Sequence, residues 1–168
     1  SGAVARDGAA EWEALRASGA AVCMHQCDAA DAAHVRRVVG VSLPAPLAGV
    51  WHAAGVLADG VLPSQSAEAL ARVYGPKAHG AWALQLACGG AALRACALFS
   101  SVAALLGGAA QANYSAANAC LDALALCRRA GGYVAVSVQW GAWAEMGMAA
   151  RGAASERMAA MEAASGLG

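Results

Sequence analysis

The stretch Phe99-Ser-Ser-Val-Ala-Ala-Leu-Leu-Gly-Gly-Ala-Ala-Gln-Ala-Asn-Tyr114-Ser-Ala-Ala-Asn118 decides how the chain is read. An apolar run, Ala95 to Phe99, ends in two hydroxyls, and Gly107-Gly108 then turns the chain into a helix-forming segment. Tyr114 and Asn118 lie about one helical turn apart and therefore share a face. Ser101 sits where the strand should stop. A strand end aimed at the side of the following helix is where open α/β sheets place their chemistry.

Working outward, the apolar run predicts a strand over Leu93–Ser100, and a helix over Ala112–Ala130 closes at Gly131-Gly132. A further strand then follows over Tyr133–Trp140. Upstream, a long helix is expected from Ser66 to Ala87. Pro76 removes one of its hydrogen bonds and should kink or restart it at Gly75-Pro76. Leu47 to Ala53 reads as another apolar strand broken by Gly55, and 56–65 as an irregular connection. Residues 8–18 suit a short amphipathic helix ended by Gly19, and Ala20–Gln26 a strand. Asp31 can cap a helix through Val39, and 41–46 is a loop with two prolines. An Ala-rich helical stretch, Ala153 to Ala164, ends the chain. Apolar strands alternating with helices predict a parallel sheet covered by helices on both faces.

The 168 residues make one domain at most, and 60% hydrophobic content is enough for a sizeable core. Basic and acidic residues balance at 11 each, so there is no electrostatic footprint for nucleic acid or an anionic membrane. Charged residues make up 13%, about half the usual share. That shortage fits a piece that lies against neighbouring polypeptide, and it fits equally an alanine-biased genome. No signal-peptide pattern opens the sequence, and no apolar run reaches the ~18 residues of a membrane span, so the cytoplasm or an organelle such as a plastid is expected. The six cysteines form no C-x-x-C pair and no zinc pattern with the four histidines. All six are read as reduced and structural, Cys120 and Cys127 as small hydrophobes on a helix.

Taken singly, the polar residues have plain readings. Tyr114 can be a core-edge residue, Lys77 a solvated helix lysine, Asn118 a local cap, and Ser100-Ser101 turn residues. A G-x-G-x-x-G run for a dinucleotide is absent from these residues. Their joint order nonetheless resembles the short-chain dehydrogenase/reductase superfamily, and more closely the ketoreductase domains of modular polyketide synthases. The stretches that carry the resemblance are Cys27-Asp-Ala-Ala-Asp31, Val50-Trp-His-Ala-Ala-Gly55-Val-Leu-Ala-Asp59-Gly and Lys77-Ala-His-Gly-Ala-Trp82. They continue through Leu98-Phe-Ser-Ser101, Gln111-Ala-Asn-Tyr-Ser-Ala-Ala-Asn-Ala119 and Ser137-Val-Gln-Trp-Gly-Ala-Trp143. Most of the superfamily carries Tyr-x-x-x-Lys; here the fourth position is Asn118 and the lysine is Lys77, an exchange typical of polyketide and animal-type fatty acid synthase ketoreductases.

The resemblance implies a Rossmann-type doubly wound parallel α/β sheet of which strands 3 to 6 are present, with Lys77, Ser101, Tyr114 and Asn118 as catalytic residues. A phenol keeps its proton at neutral pH, since its ordinary pKa is about 10, so Tyr114 would protonate the ketone oxygen. Lys77 would stabilise the resulting tyrosinate, Ser101 would donate a second hydrogen bond to the oxygen, and Asn118 would orient Lys77 or a water. The resemblance further implies NADPH, with Asp28 at the adenine amino group, Ala53, Ala54 and Gly55 along the nicotinamide ribose, and His52 as a cofactor-binding position where the wider superfamily often has Asn. The partners would be an acyl carrier protein bearing a phosphopantetheine-linked β-ketoacyl chain, and adjacent synthase domains. Leu57-Ala58-Asp59 is similar to the Leu-Asp-Asp fingerprint of B-type ketoreductases. The tryptophan that marks A-type enzymes is replaced by Leu106.

Residues 1–168 are thus expected to be a single incomplete ketoreductase domain. Ser1-Gly2 reads as a cut into a longer protein, with the phosphate-binding glycines upstream and a last strand downstream. Taken alone, such a piece is expected to be unstable and to bind NADPH weakly. Two other readings remain open at this point, a non-catalytic remnant of the fold and a stand-alone short-chain reductase.

Overall fold

The computed structural model describes residues 9–41 and 46–141. Three parallel strands form its sheet in the order β1-β2-β3. They are β1 (Gly49–His52), β2 (Ala95–Ser101) and β3 (Val136–Trp140). Parallel strands need a helical crossover between them. The first crossover contains α3 (Ala67–Tyr74), a π-helical segment (Gly75–His79) and α4 (Gly80–Ala87). The second contains α5 (Ala103–Leu106) and α6 (Ala112–Ala130). Two further helices, α1 (Ala9–Ala17) and α2 (Ala32–Val39), precede the sheet.

The register fixes what each face of the sheet carries. Val50 pairs with Cys96, His52 with Leu98 and Leu98 with Ser137, so these side chains point to the same side. There Ala81 of α4 and Leu121 and Ala125 of α6 close on Cys96 and Leu98 to make the core. The opposite face carries Trp51, Ala97, Phe99, Val136 and Trp140. Phe99 and Trp140 pack their rings 5.6 Å apart, while Trp51 is 65% exposed among the described residues. The described α4 and α6 cover the face that carries Cys96 and Leu98, in the parallel α/β arrangement expected.

Local rules account for most element ends. Asp31 caps α2 by accepting hydrogen bonds from the N–H groups of Ala33 and His34 at 2.7 and 3.2 Å. Ser66 does the same for α3 through Ala69 N–H. Gly107 takes φ 73°, a left-handed conformation that glycine adopts without strain, between α5 and α6.

Three expectations are corrected. Ala20–Gln26 is not a strand: it is exposed, and among the described residues it pairs with no other segment, leaving three strands rather than four. An apolar run becomes a strand only through a neighbour's hydrogen bonds, which composition does not reveal. The Pro76 flaw does not restart the helix, one of the two outcomes expected of it; the winding continues through one π-helical turn, closed by Gly80 N–H on the Gly75 carbonyl. The structural role assigned to the cysteines narrows to the buried Cys88 and Cys96, because Cys23, Cys27, Cys120 and Cys127 are exposed, though all six are free thiols. The expected terminal helix 153–164, Trp143 and most of the 41–46 loop lie outside the described residues.

α2 packs against α4, and the turn before α2 lies against the π-helical segment and the start of α4. A Cβ on Gly80 would meet the Ala29 carbonyl oxygen at 2.8 Å and His52 Cε1 at 3.2 Å. Helix propensity alone favours Gly80→Ala by up to about 1 kcal/mol. A backbone oxygen cannot swing aside, and overpacking of this kind costs about 1–3 kcal/mol. Gly80→Ala is therefore expected to destabilise the protein, seen as a lower urea midpoint; a raised midpoint would refute this packing account.

Candidate active site

Of the residues singled out in the sequence, Lys77, Tyr114 and Asn118 gather beside the carboxyl end of β2, against the first turns of α6. Lys77 enters from the π-helical segment and is only 3% exposed. Its Nζ donates to Asn118 Oδ1 at 2.9 Å and to the Phe99 carbonyl at 3.0 Å. The ammonium also lies 5.2 Å from the centre of the Tyr114 ring, within cation–π range. Asn118 is fully buried, and its Nδ2 donates to the Tyr114 carbonyl at 2.8 Å, one turn back along α6. One asparagine side chain thus faces the lysine with its oxygen and the helix with its nitrogen.

The π-helical turn places the lysine. Pro76 has no N–H and crowds the preceding turn, and the wider winding absorbs both. His52, buried at the end of β1, bonds the Lys77 carbonyl through Nε2 at 3.0 Å. A carbonyl only accepts, so Nε2 carries the proton. Burial, together with the nearby Lys77 charge, holds the His52 pKa below its ordinary value, although the bond to the Lys77 carbonyl opposes this. Gly55 completes the enclosure: a Cβ there would sit 2.9 Å from Lys77 Cε.

Burial pulls the Lys77 ammonium down from 10.5 to about 8, with the Asp122 carboxylate acting in the other direction. Asp122 lies one turn beyond Asn118 on α6. It accepts from Ser137 Oγ at 2.5 Å and Gln139 Nε2 at 2.8 Å, both on β3. Tyr114, Asn118 and Asp122 thus make a polar stripe four residues apart, beside the apolar stripe of Ala117, Leu121 and Ala125.

Ser101 stands apart from the other three. Its Oγ accepts from Ala103 N–H at 3.2 Å, and among the described residues no hydrogen bond joins it to Lys77, Tyr114 or Asn118. Its neighbour Ser100 instead reaches α6, donating to the Asn118 carbonyl at 3.3 Å. Ala53, Ala54 and Gly55 follow β1 with nothing larger than a methyl, Ala53 exposed and the other two half-buried. Asp28 is exposed and turns the chain through Ala30 N–H at 2.9 Å, beside an open cleft lined by Gln26, Cys27, His34 and Arg37. Asp59 accepts from Gln111 Nε2 at 3.2 Å, which ties its loop to the start of α6.

The sequence reading passed over Asp122 and Asn113. The four-residue spacing from Tyr114 through Asn118 announces Asp122. Asn113 is 4% exposed and bonded to both Ala58 and Tyr114, but its only mark in the sequence is its place next to the tyrosine.

With this geometry in place, comparison with known proteins is decisive. A family model for the KR domain matches residues 1–145. The chain belongs to the KR domain family. This KR chain is 52% identical over 145 residues to polyketide synthase GfsB of Streptomyces halstedii, covering 86% of the chain and 3% of the synthase. Among solved structures it is similar to A-type ketoreductases from a modular polyketide synthase, with TM-score 0.83, 39% identity and 90% of the chain covered. It is also similar to the first ketoreductase of the tylosin polyketide synthase, with TM-score 0.78, 41% identity and 91% covered. The KR chain spans 33% of each of those two solved chains.

The lysine gives this site a pH signature. Between about pH 8 and 10.5 the unfolded chain keeps the Lys77 proton and the folded chain releases it, so the unfolded state binds more protons there. The cost of burying the charge is fully present below pH 8 and is relieved as pH rises through that window. The wild type should gain roughly 1–3 kcal/mol across the window relative to Lys77→Met. Urea unfolding of both proteins at several pH values measures it, and parallel pH profiles would refute it.

Proposed function

We propose that this chain is the catalytic part of an NADPH-dependent ketoreductase within a polyketide synthase. It would reduce a β-ketoacyl thioester, carried on the phosphopantetheine arm of an acyl carrier protein, to the β-hydroxyacyl form. The observation that carries this reading is Lys77 Nζ held by Asn118 and set 5.2 Å from the Tyr114 ring. A lone buried ammonium is costly, and here one is fixed beside a tyrosine at a strand-end crevice.

In the proposed reaction NADPH, when bound, would supply the hydride that the ketone carbon takes up. Tyr114 gives its hydroxyl proton to the carbonyl oxygen: the phenolic O–H bond breaks and the alcohol O–H bond forms. The tyrosinate left behind is stabilised by the Lys77 ammonium, which Asn118 and the Phe99 carbonyl keep in place. Ser101, at the end of β2, supplies the second hydrogen bond to the oxygen, on release from Ala103 N–H or alongside it.

The residues present suit such a cofactor. Ala53, Ala54 and Gly55 offer a backbone surface without bulky side chains along a ribose, and Asp28 offers an acceptor for an adenine amino group at an open cleft. His52 contributes from beneath by bracing Lys77. The chain spans a third of the solved ketoreductases named above and has no G-x-G-x-x-G run, so we assign it to one larger domain that also supplies the phosphate cradle.

For stereochemistry we propose the B-type outcome, supported by Asp59 and by Leu106 in place of the A-type tryptophan. Likeness to A-type structures reports the whole fold, whereas the class turns on these few residues. Tyr114→Phe in the full protein is expected to lower NADPH oxidation with a β-ketoacyl thioester by about 10²–10⁴-fold while leaving unfolding unchanged. Turnover within twofold of wild type would overturn the proton-donor role.

A further inference from the structure

Two loops meet immediately before Tyr114, and their junction is more heavily bonded than either loop requires. Gly60 N–H donates to the Ala110 carbonyl at 2.8 Å, Gln111 Nε2 to Asp59 Oδ1 at 3.2 Å, and Asn113 Nδ2 to the Ala58 carbonyl at 2.8 Å. The far side of the 58–60 strap is pinned too, by Gln65 Nε2 on the Gly60 carbonyl at 2.7 Å. Ala110 adopts φ 59°, the one non-glycine left-handed residue among those described, and its strained backbone presents the carbonyl that Gly60 uses.

Asn113 is the member of this junction that reaches both sides. Its Nδ2 holds the strap, while its Oδ1 accepts the N–H of Tyr114 at 2.7 Å. That N–H belongs to the first turn of α6, where helical donors have no partner within the helix. One buried side chain therefore ties the position of residues 58–60 to the backbone of Tyr114 itself.

We infer that Asn113 is a positioning residue that holds the 58–60 strap in a fixed place relative to Tyr114 and so helps decide which face of the ketone is reduced. This rests on the ketoreductase reading. A ketone whose oxygen is bound at Tyr114 can turn about its C=O axis, which exchanges its two carbon arms. Hydride then reaches the opposite face and gives the mirror-related alcohol. What stands beside Tyr114 must separate the two orientations, and a difference of about 1.4 kcal/mol is already a tenfold product ratio. A strap that moved relative to Tyr114 would not sustain that difference.

Asn113→Asp in the full protein separates the two bonds. Its carboxylate still accepts the Tyr114 N–H but has nothing to donate to the Ala58 carbonyl, and two oxygens then face each other. The fraction of the minor alcohol, measured by chiral chromatography of the released product, is expected to rise about fivefold or more. Gln111→Leu removes only the contact to Asp59 and is expected to raise it less; it decides the question should Asn113→Asp fail to fold. A general loss of packing lowers turnover of both alcohols together and leaves their ratio unchanged, so a wild-type ratio in both variants overturns the inference. Should the wild type reduce no β-ketoacyl thioester, the proposed function falls, and the latch is read by amide exchange at Gly60. Faster exchange in Asn113→Asp than in wild type supports the latch, and equal exchange overturns it.

Discussion

The structure depends on a buried ammonium. Removing Lys77 from water costs several kcal/mol before any compensation, and among the described residues no carboxylate bonds it directly. Compensation comes from neutral oxygens and a ring face: Asn118 Oδ1, the Phe99 carbonyl and Tyr114. Each of these belongs to an element that must be correctly placed for the bond to exist. β2 supplies the carbonyl, α6 the asparagine and tyrosine, and the end of β1 the histidine beneath. The lysine is thus satisfied only when β1, β2 and α6 are assembled around it, which makes the site a condition of the fold as well as its product.

The π-helical turn follows from the same constraint. Pro76 forces the helix to give up a regular hydrogen bond one residue before the lysine, and the wider turn brings the Lys77 carbonyl within reach of His52. A buried charge would be poorly held on a freely rotating stem. Here the stem starts from a residue whose backbone carbonyl is held by one side chain, passes Gly55, where a Cβ would sit 2.9 Å from Cε, and ends at two acceptors. Asn118 carries a matching double duty on α6. Its carbonyl takes the Ser100 hydroxyl while its side chain spans from Lys77 to Tyr114.

How far this was legible depends on whether each signal was local. The bounds of α6 came directly from its alanine run and the flanking glycines, and the cap at Asp31 was equally plain. That Lys77, Tyr114 and Asn118 belong together was readable because motifs around all three resemble one family, and the structure does bring the three side chains together. Ala20–Gln26 failed because a strand is defined by its partner, and no pattern within seven residues states whether one exists. Asn113 failed for a related reason: its partner Ala58 lies 55 residues away, and an asparagine near a helix start looks like a cap. The widened turn was half read, since proline announces a defect but not which hydrogen-bond pattern repairs it.

The alanine and glycine content, which in the sequence could be no more than compositional bias, has a physical use at this site. Gly55 lets the Lys77 stem pass, and Gly75 and Gly80 let the helix that carries it approach Ala30 and the Ala29 carbonyl. Ala117, Leu121 and Ala125 let α6 lie flat on β2, so that Asn118 reaches across to the lysine. Larger side chains at these places would raise the apolar area buried, and by ordinary reasoning the stability. They would also push the helices away from the sheet, and hydrogen bonds of 2.9–3.0 Å to a buried charge tolerate little displacement. Small residues around Lys77 therefore give up hydrophobic stabilisation in exchange for proximity, and proximity is what keeps the ammonium solvated by protein rather than by water.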